Sequence, residues 1–87
     1  MWKWQENKEE KLGMTYKIRF VWDSDAAVWI ATSEDVSGLI LESGSFDALV
    51  ERVRYVVPEL IELNGDKLEN IRLIYITERE DQLVMYG

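Results

Sequence analysis

Cysteine and histidine are both missing from the 87 residues of this chain. Without thiols there is no disulfide framework, no thiolate nucleophile and no cysteine-bound zinc. Without imidazole the usual serine triads and most transition-metal sites drop out as well. Basic residues are few: 10 Lys and Arg stand against 17 Asp and Glu, a formal net charge of -7. A protein that binds nucleic acid on its own gains affinity by neutralising phosphates, so this balance points away from autonomous nucleic-acid binding. It suits a basic protein partner better. No apolar run approaches the ~20 residues that a membrane span needs. The first residues include Lys3, Glu6, Lys8, Glu9, Glu10 and Lys11, where a signal peptide would need an apolar stretch. The expectation is a cytoplasmic protein that is not membrane-bound and carries no cofactor or metal.

Hydrophobic residues make up 47 % of the chain, enough for one core, and 87 residues leave no room for a second. Residues 1–13 read as a flexible N-terminal leader, polar apart from Trp2, Trp4 and Leu12 and closed off by Gly13. Residues 14–87 read as the domain. Within it the hydrophobic period is first two: Tyr16, Ile18, Phe20 and Trp22 alternate with Thr15, Lys17, Arg19 and Val21, the pattern of a half-buried strand. Asp23, Ser24 and Asp25 supply a turn, Ala26 to Thr32 a second strand, and Gly38 to Ser43 a third after a loop from Ser33 to Ser37.

The period then becomes 3.6. Phe46, Leu49, Val50, Val53, Val57, Leu60 and Ile61 fall on one helical stripe, with Asp47, Glu51, Arg54, Glu59 and Glu62 largely opposite. Ser45 suits the N-cap and Asn64-Gly65 the C-terminal stop. Pro58 removes an amide donor and predicts a kink or break near Tyr55–Val57. After Asp66-Lys67 the alternation of Ile71, Leu73 and Tyr75 with Arg72, Ile74 and Ile76 predicts a fourth strand, and Leu83 to Tyr86 a short fifth. The order βββ-α-β(β) implies an α+β fold: an antiparallel-rich sheet with one helix packed on one face.

One helix covers only one face. With Tyr16, Ile18, Phe20, Val28 and Ile30 assigned to the helix side, the opposite side would carry Val21, Trp29, Ala31, Ile74 and Ile76 among Lys17, Arg19, Glu42 and Arg72. So apolar a face with a central Trp reads as a protein interface, for a homodimer or for another partner. Catalysis finds little support. Asp23 and Asp25 form one carboxylate pair and Glu34 and Asp35 another, but the second strand would hold Asp25 and Glu34 roughly 30 Å apart. Cooperating carboxylates lie within about 10 Å. Asp23-Ser24-Asp25 lacks the Gly and distal Glu of an EF-hand loop, and no phosphate-binding glycine pattern occurs.

Several runs between Tyr16 and Gly65 carry a family likeness. Trp22-Asp23 closes the first strand, Val28-Trp29-Ile30-Ala31 occupies the second, Glu34-Asp35-Val36-Ser37-Gly38-Leu39 follows, and Ser45-Phe46-Asp47-Ala48-Leu49 opens the helix. This set resembles HicB-type antitoxin domains, which have an aromatic-hydrophobic-Ala strand, an acidic-x-x-Gly-hydrophobic loop and a Ser/Thr-capped helix. Val57-Pro58-Glu59-Leu60-Ile61-Glu62-Leu63-Asn64-Gly65 is similar to short stand-alone bacterial relatives of unknown function grouped with HicB by fold. The resemblance implies a partial ribonuclease-H-like fold without catalysis of its own. It also implies a small basic mRNA-cleaving toxin, of the HicA type, as partner. HicB antitoxins usually add a C-terminal DNA-binding module; here only strand-like residues follow Gly65. A vestigial nuclease-like fold, with weak metal-dependent hydrolysis through Asp23 and Asp25, and an orphan homodimer are the alternatives.

Overall fold

The alternating segment forms β1, Gly13–Asp23, in the structure, a computed structural model that describes residues 13–85. β2 is Val28–Thr32, β3 is Ile40–Ser43, the helix α1 is Phe46–Leu63 and β4 is Asn70–Glu78. The strands make one sheet in the order β3-β2-β1-β4. β1 pairs antiparallel with β2, and β2 with β3, whereas β1 and β4 are parallel. The parallel pair follows from the helix, which carries the chain back to the end of the sheet where β1 began. The α+β class, the single helix on one face among the described residues, and the majority of antiparallel pairs agree with the sequence reading.

Some boundaries move. Gly13 belongs to β1 rather than to the leader; residues 1–12, with Trp2 and Trp4, lie outside the described residues. β2 starts at Val28 rather than Ala26, because Ala27 takes a positive φ of 57° that no strand accommodates. The expected fifth strand is not formed over Leu83–Met85, and Tyr86 lies outside the described residues. Past β4 the chain instead passes the end of β1: the Arg79 guanidinium sits 4.3 Å from the centre of the Trp22 ring, and Glu80, Asp81 and Gln82 line a depression with Trp22 and Ser24.

α1 begins where its cap chemistry predicts. The Ser45 hydroxyl accepts from the Ala48 amide at 3.2 Å, and Asp47 occupies the first turn. The helix ends in a Schellman arrangement. The Gly65 amide donates to the Glu62 carbonyl at 3.0 Å and that of Asp66 to Ile61 at 3.1 Å, with Gly65 at a φ of 94°. The break expected at Pro58 does not occur: α1 runs on for 18 residues. Buried Val53 and Val57 before the proline and Ile61 after it hold one helical phase. The carbonyl deprived of its donor belongs to exposed Arg54, where water can take the bond.

The core consists of Tyr16, Ile18 and Phe20 from β1, Ala31 from β2, and Leu49, Val53, Val57 and Ile61 from α1. Val36 and Leu39 complete it from the β2–β3 loop. That loop is tied to β1 where β2 has ended. The Lys17 amide donates to the Asp35 carboxylate at 2.7 Å. The Ser33 hydroxyl donates to the Lys17 carbonyl at 2.6 Å while accepting from the amides of Asp35 and Val36. Gly38, at a φ of 89°, turns the chain so that Leu39 enters the core. The acidic-x-x-Gly-hydrophobic pattern therefore has a structural cause: Asp35 satisfies a strand amide, and Val36 and Leu39 seal the end of the core.

Tyr16 introduces one unmet demand, since its buried hydroxyl has no hydrogen-bond partner among the described residues. Tyr16→Phe removes that oxygen without emptying the site. It should leave stability unchanged or raise it by about 1–2 kcal/mol in a urea melt. A loss of 1 kcal/mol or more would mean the hydroxyl is bonded in solution.

Candidate functional site

Which residues face away from α1 is decided by the β1–β2 hairpin. Its four-residue turn, Ser24 to Ala27, pairs Asp23 with Val28, Trp22 with Trp29 and Phe20 with Ala31. Directly opposed residues of an antiparallel pair share a face. Even-numbered positions of β1 therefore share a face with odd-numbered positions of β2. The turn itself is held by Asp23, whose carboxylate accepts from the amides of Asp25 at 3.0 Å and Ala26 at 3.3 Å. That use as a turn clamp is the role of Asp23 visible in the structure. Among the described residues no group of three or more Asp and Glu is placed to hold a metal ion.

The sequence assignment of β2 is thus reversed. Trp29 and Ala31 do not belong to the open face: Ala31 is fully buried, and Trp29 packs against the core beneath α1. The ring of Trp29 lies 5.1 Å from that of Phe46 at the start of α1 and 5.4 Å from that of Trp22. Phe20 continues the series to Phe46 at 5.0 Å and to Tyr75 of β4 at 5.3 Å. An aromatic file thus crosses the helix side of the sheet from β2 to β4. Val28 and Ile30, assigned to the core from the sequence, point the other way.

The open face combines Val21, Ile74 and Ile76 from the original set with Val28 and Ile30. Val21 stands opposite Ile30, Lys17 beside Ile74 and Arg19 beside Ile76. Ile74 and Ile76 keep 40 % and 42 % of their surface exposed, the remainder being covered by neighbouring strands. Charge surrounds this apolar band: Arg19 pairs with Glu78, and Arg72 and Glu42 share the face. At one end lies an open depression of ≈ 420 Å³ lined by Thr15, Lys17, Arg19, Glu34, Asp35 and Ile76. Its rim of two cations and two carboxylates around an isoleucine suits a polar side chain from a docked protein more than an enclosed small molecule. Val28 and Ile30 reach this face because the turn takes in Ala27, a residue with no compositional mark of a turn.

Comparison with known proteins adds family and fold. No protein of curated function matches the chain. Among solved structures it is similar to the hypothetical protein TTHA1013 of the extremely thermophilic bacterium Thermus thermophilus, with a TM-score of 0.64 and 36 % identity. That match covers 83 % of this chain and 100 % of the other. No helix among the described residues is long and apolar enough to cross a membrane. The family model that matches residues 15–87 is a domain of unknown function, DUF1902, and the chain belongs to that family.

Proposed function

We propose that this domain is a non-catalytic protein-binding module, of the kind HicB antitoxins represent, which neutralises a small basic mRNA-cleaving toxin in the cytoplasm. The observation that carries the reading is the open sheet face, where Val21, Val28, Ile30, Ile74 and Ile76 lie on the side that α1 does not cover. A contiguous apolar band rimmed by charge is the composition of a binding surface rather than of a solvated one. The net charge of -7 favours a basic partner electrostatically and speeds the encounter with it. The HicB-like loop and helix-opening motifs agree with this role.

Co-expression with the small basic protein encoded by the neighbouring reading frame tests the reading. The two should purify as a complex in which RNA cleavage by the basic protein is suppressed. Ile30→Asp, which places a carboxylate in the middle of the open face, should weaken the complex at least tenfold while changing the melting temperature little. Recovery of this chain from its native cells free of any small basic partner, or a complex indifferent to Ile30→Asp, would overturn the proposal.

A further inference from the structure

β4 carries the sequence of an interior strand in an edge position. From Ile71 to Ile76 it is apolar on both faces apart from Arg72, which is how strands buried within a sheet read. Yet the sheet order places β4 last, with β1 on one side and no described strand on the other. The strand is nine residues long, and proline and lysine, which often protect an exposed edge, do not occur in it. The chain after the strand heads toward the β1–β2 turn: Arg79 lies over Trp22 and Trp29, and Glu80, Asp81 and Gln82 line a depression with Trp22 and Ser24. Ile74, Tyr75 and Ile76 each remain about 40 % exposed.

We infer that a second copy of this chain occupies the edge, its β4 running antiparallel to the first about a two-fold axis at Tyr75. Charge and shape select this register. With Tyr75 opposite Tyr75 of the second copy, Arg72 faces Glu78 of the second copy and Glu78 faces its Arg72. On the same side Ile74 faces Ile76 and Ile76 faces Ile74. Leu73 and Thr77 oppose each other on the helix side, where Tyr75 already belongs to the aromatic file. Opposite charges and apolar pairs directly across a ladder are the favourable cross-strand combinations. A slip of one residue would put Arg72 opposite Thr77 or Arg79 and turn the second sheet over; a slip of two would leave Arg72 facing Ile76 in one direction and Ile74 facing Glu78 in the other. Each Glu78 would then lie between Arg19 of its own chain and Arg72 of the second copy. The result is a continuous eight-stranded sheet with both helices on one side and both open faces on the other. This dimer stands independently of toxin binding.

Sedimentation of the full chain should show a dimer. Arg72→Glu and Glu78→Arg each place like charges at both ends of the ladder and should each raise the dimer Kd roughly 10–30-fold. Mixing the two variants restores both opposite-charge pairs, so a heterodimer should form with near-original affinity. Because the chain has no cysteine, cross-linking gives a clean second readout. Tyr75→Cys should oxidise to a disulfide-linked dimer, since opposed Cα atoms lie about 4.5–5.5 Å apart. Ile74→Cys alone should not, whereas a mixture of Ile74→Cys and Ile76→Cys should. Circular dichroism of each variant separates lost pairing from lost fold. A monomer at concentrations up to about 1 mM would overturn the inference, as would a dimer insensitive to both charge reversals. Occupation of the edge by residues 1–12 of the same chain would appear as the first of these results.

Discussion

Leu49→Ala will lower the unfolding free energy by roughly 2–5 kcal/mol, because it opens a cavity under α1 that the sheet cannot close. Leu49 is fully buried and sits on the helical stripe with Val53, Val57 and Ile61. Domains of this size have about 5–15 kcal/mol of stability in total, so the loss is a sizeable fraction of it. Glu51→Ala, on the exposed side of the same helix, should move stability by less than about 0.5 kcal/mol. Urea melts of the two variants provide the comparison. Equal losses would place α1 in a different rotational phase over the sheet.

Trp29→Ala will act on the fold rather than on association. Its ring touches Phe46 and Trp22 and lies beneath the Arg79 guanidinium, 5.8 Å from the ring centre. Removing it takes the β2 member from the aromatic file and leaves Arg79 stacked on Trp22 alone. Because Trp29 is only partly buried, the cost should fall near the lower end for a large aromatic, about 3 kcal/mol, or roughly 12–24 °C in melting temperature. Dimer affinity, set by β4, should change little in the variant below its melting temperature. An unchanged melt with weakened association would return Trp29 to an exposed interface.

These two residues also show how far the sequence could be read. The phase of α1 is a local property: stripe, cap and stop all lie within Ser45–Gly65, and each was legible from spacing alone. The two sides of β1 were legible for the same reason, with Tyr16, Ile18 and Phe20 buried and Lys17 and Arg19 exposed. The relation between two strands is not local. Whether Trp29 or Ile30 joins Phe20 depends on the parity of the turn, and Ala27, an alanine in a left-handed conformation, gives no compositional sign that it belongs to the turn. The site divides along the same line. Val21, Ile74 and Ile76 lie on the open face because β1 and β4 were phased correctly, while Trp29 and Ala31 exchange places with Val28 and Ile30. Val36 and Leu39 carry no sequence sign of their place in the core, because no period runs through the loop that holds them.

The parallel pairing of β1 with β4 has a kinetic consequence. Gly13 pairs with Asn70 and Val21 with Glu78, so this ladder joins the first described strand to the last. On a ribosome, β1, β2, β3 and α1 all emerge before β1 can meet this neighbour. Until then Tyr16 and Ile18 have the Ser33–Asp35 loop on one side and water on the other. Closing so long a segment is entropically slow compared with forming a hairpin or a helix. The sheet is therefore completed only once Asn70–Glu78 has emerged, and a nascent chain stalled before Asn70 would expose the unpaired edge of β1 to any chaperone or neighbouring chain within reach.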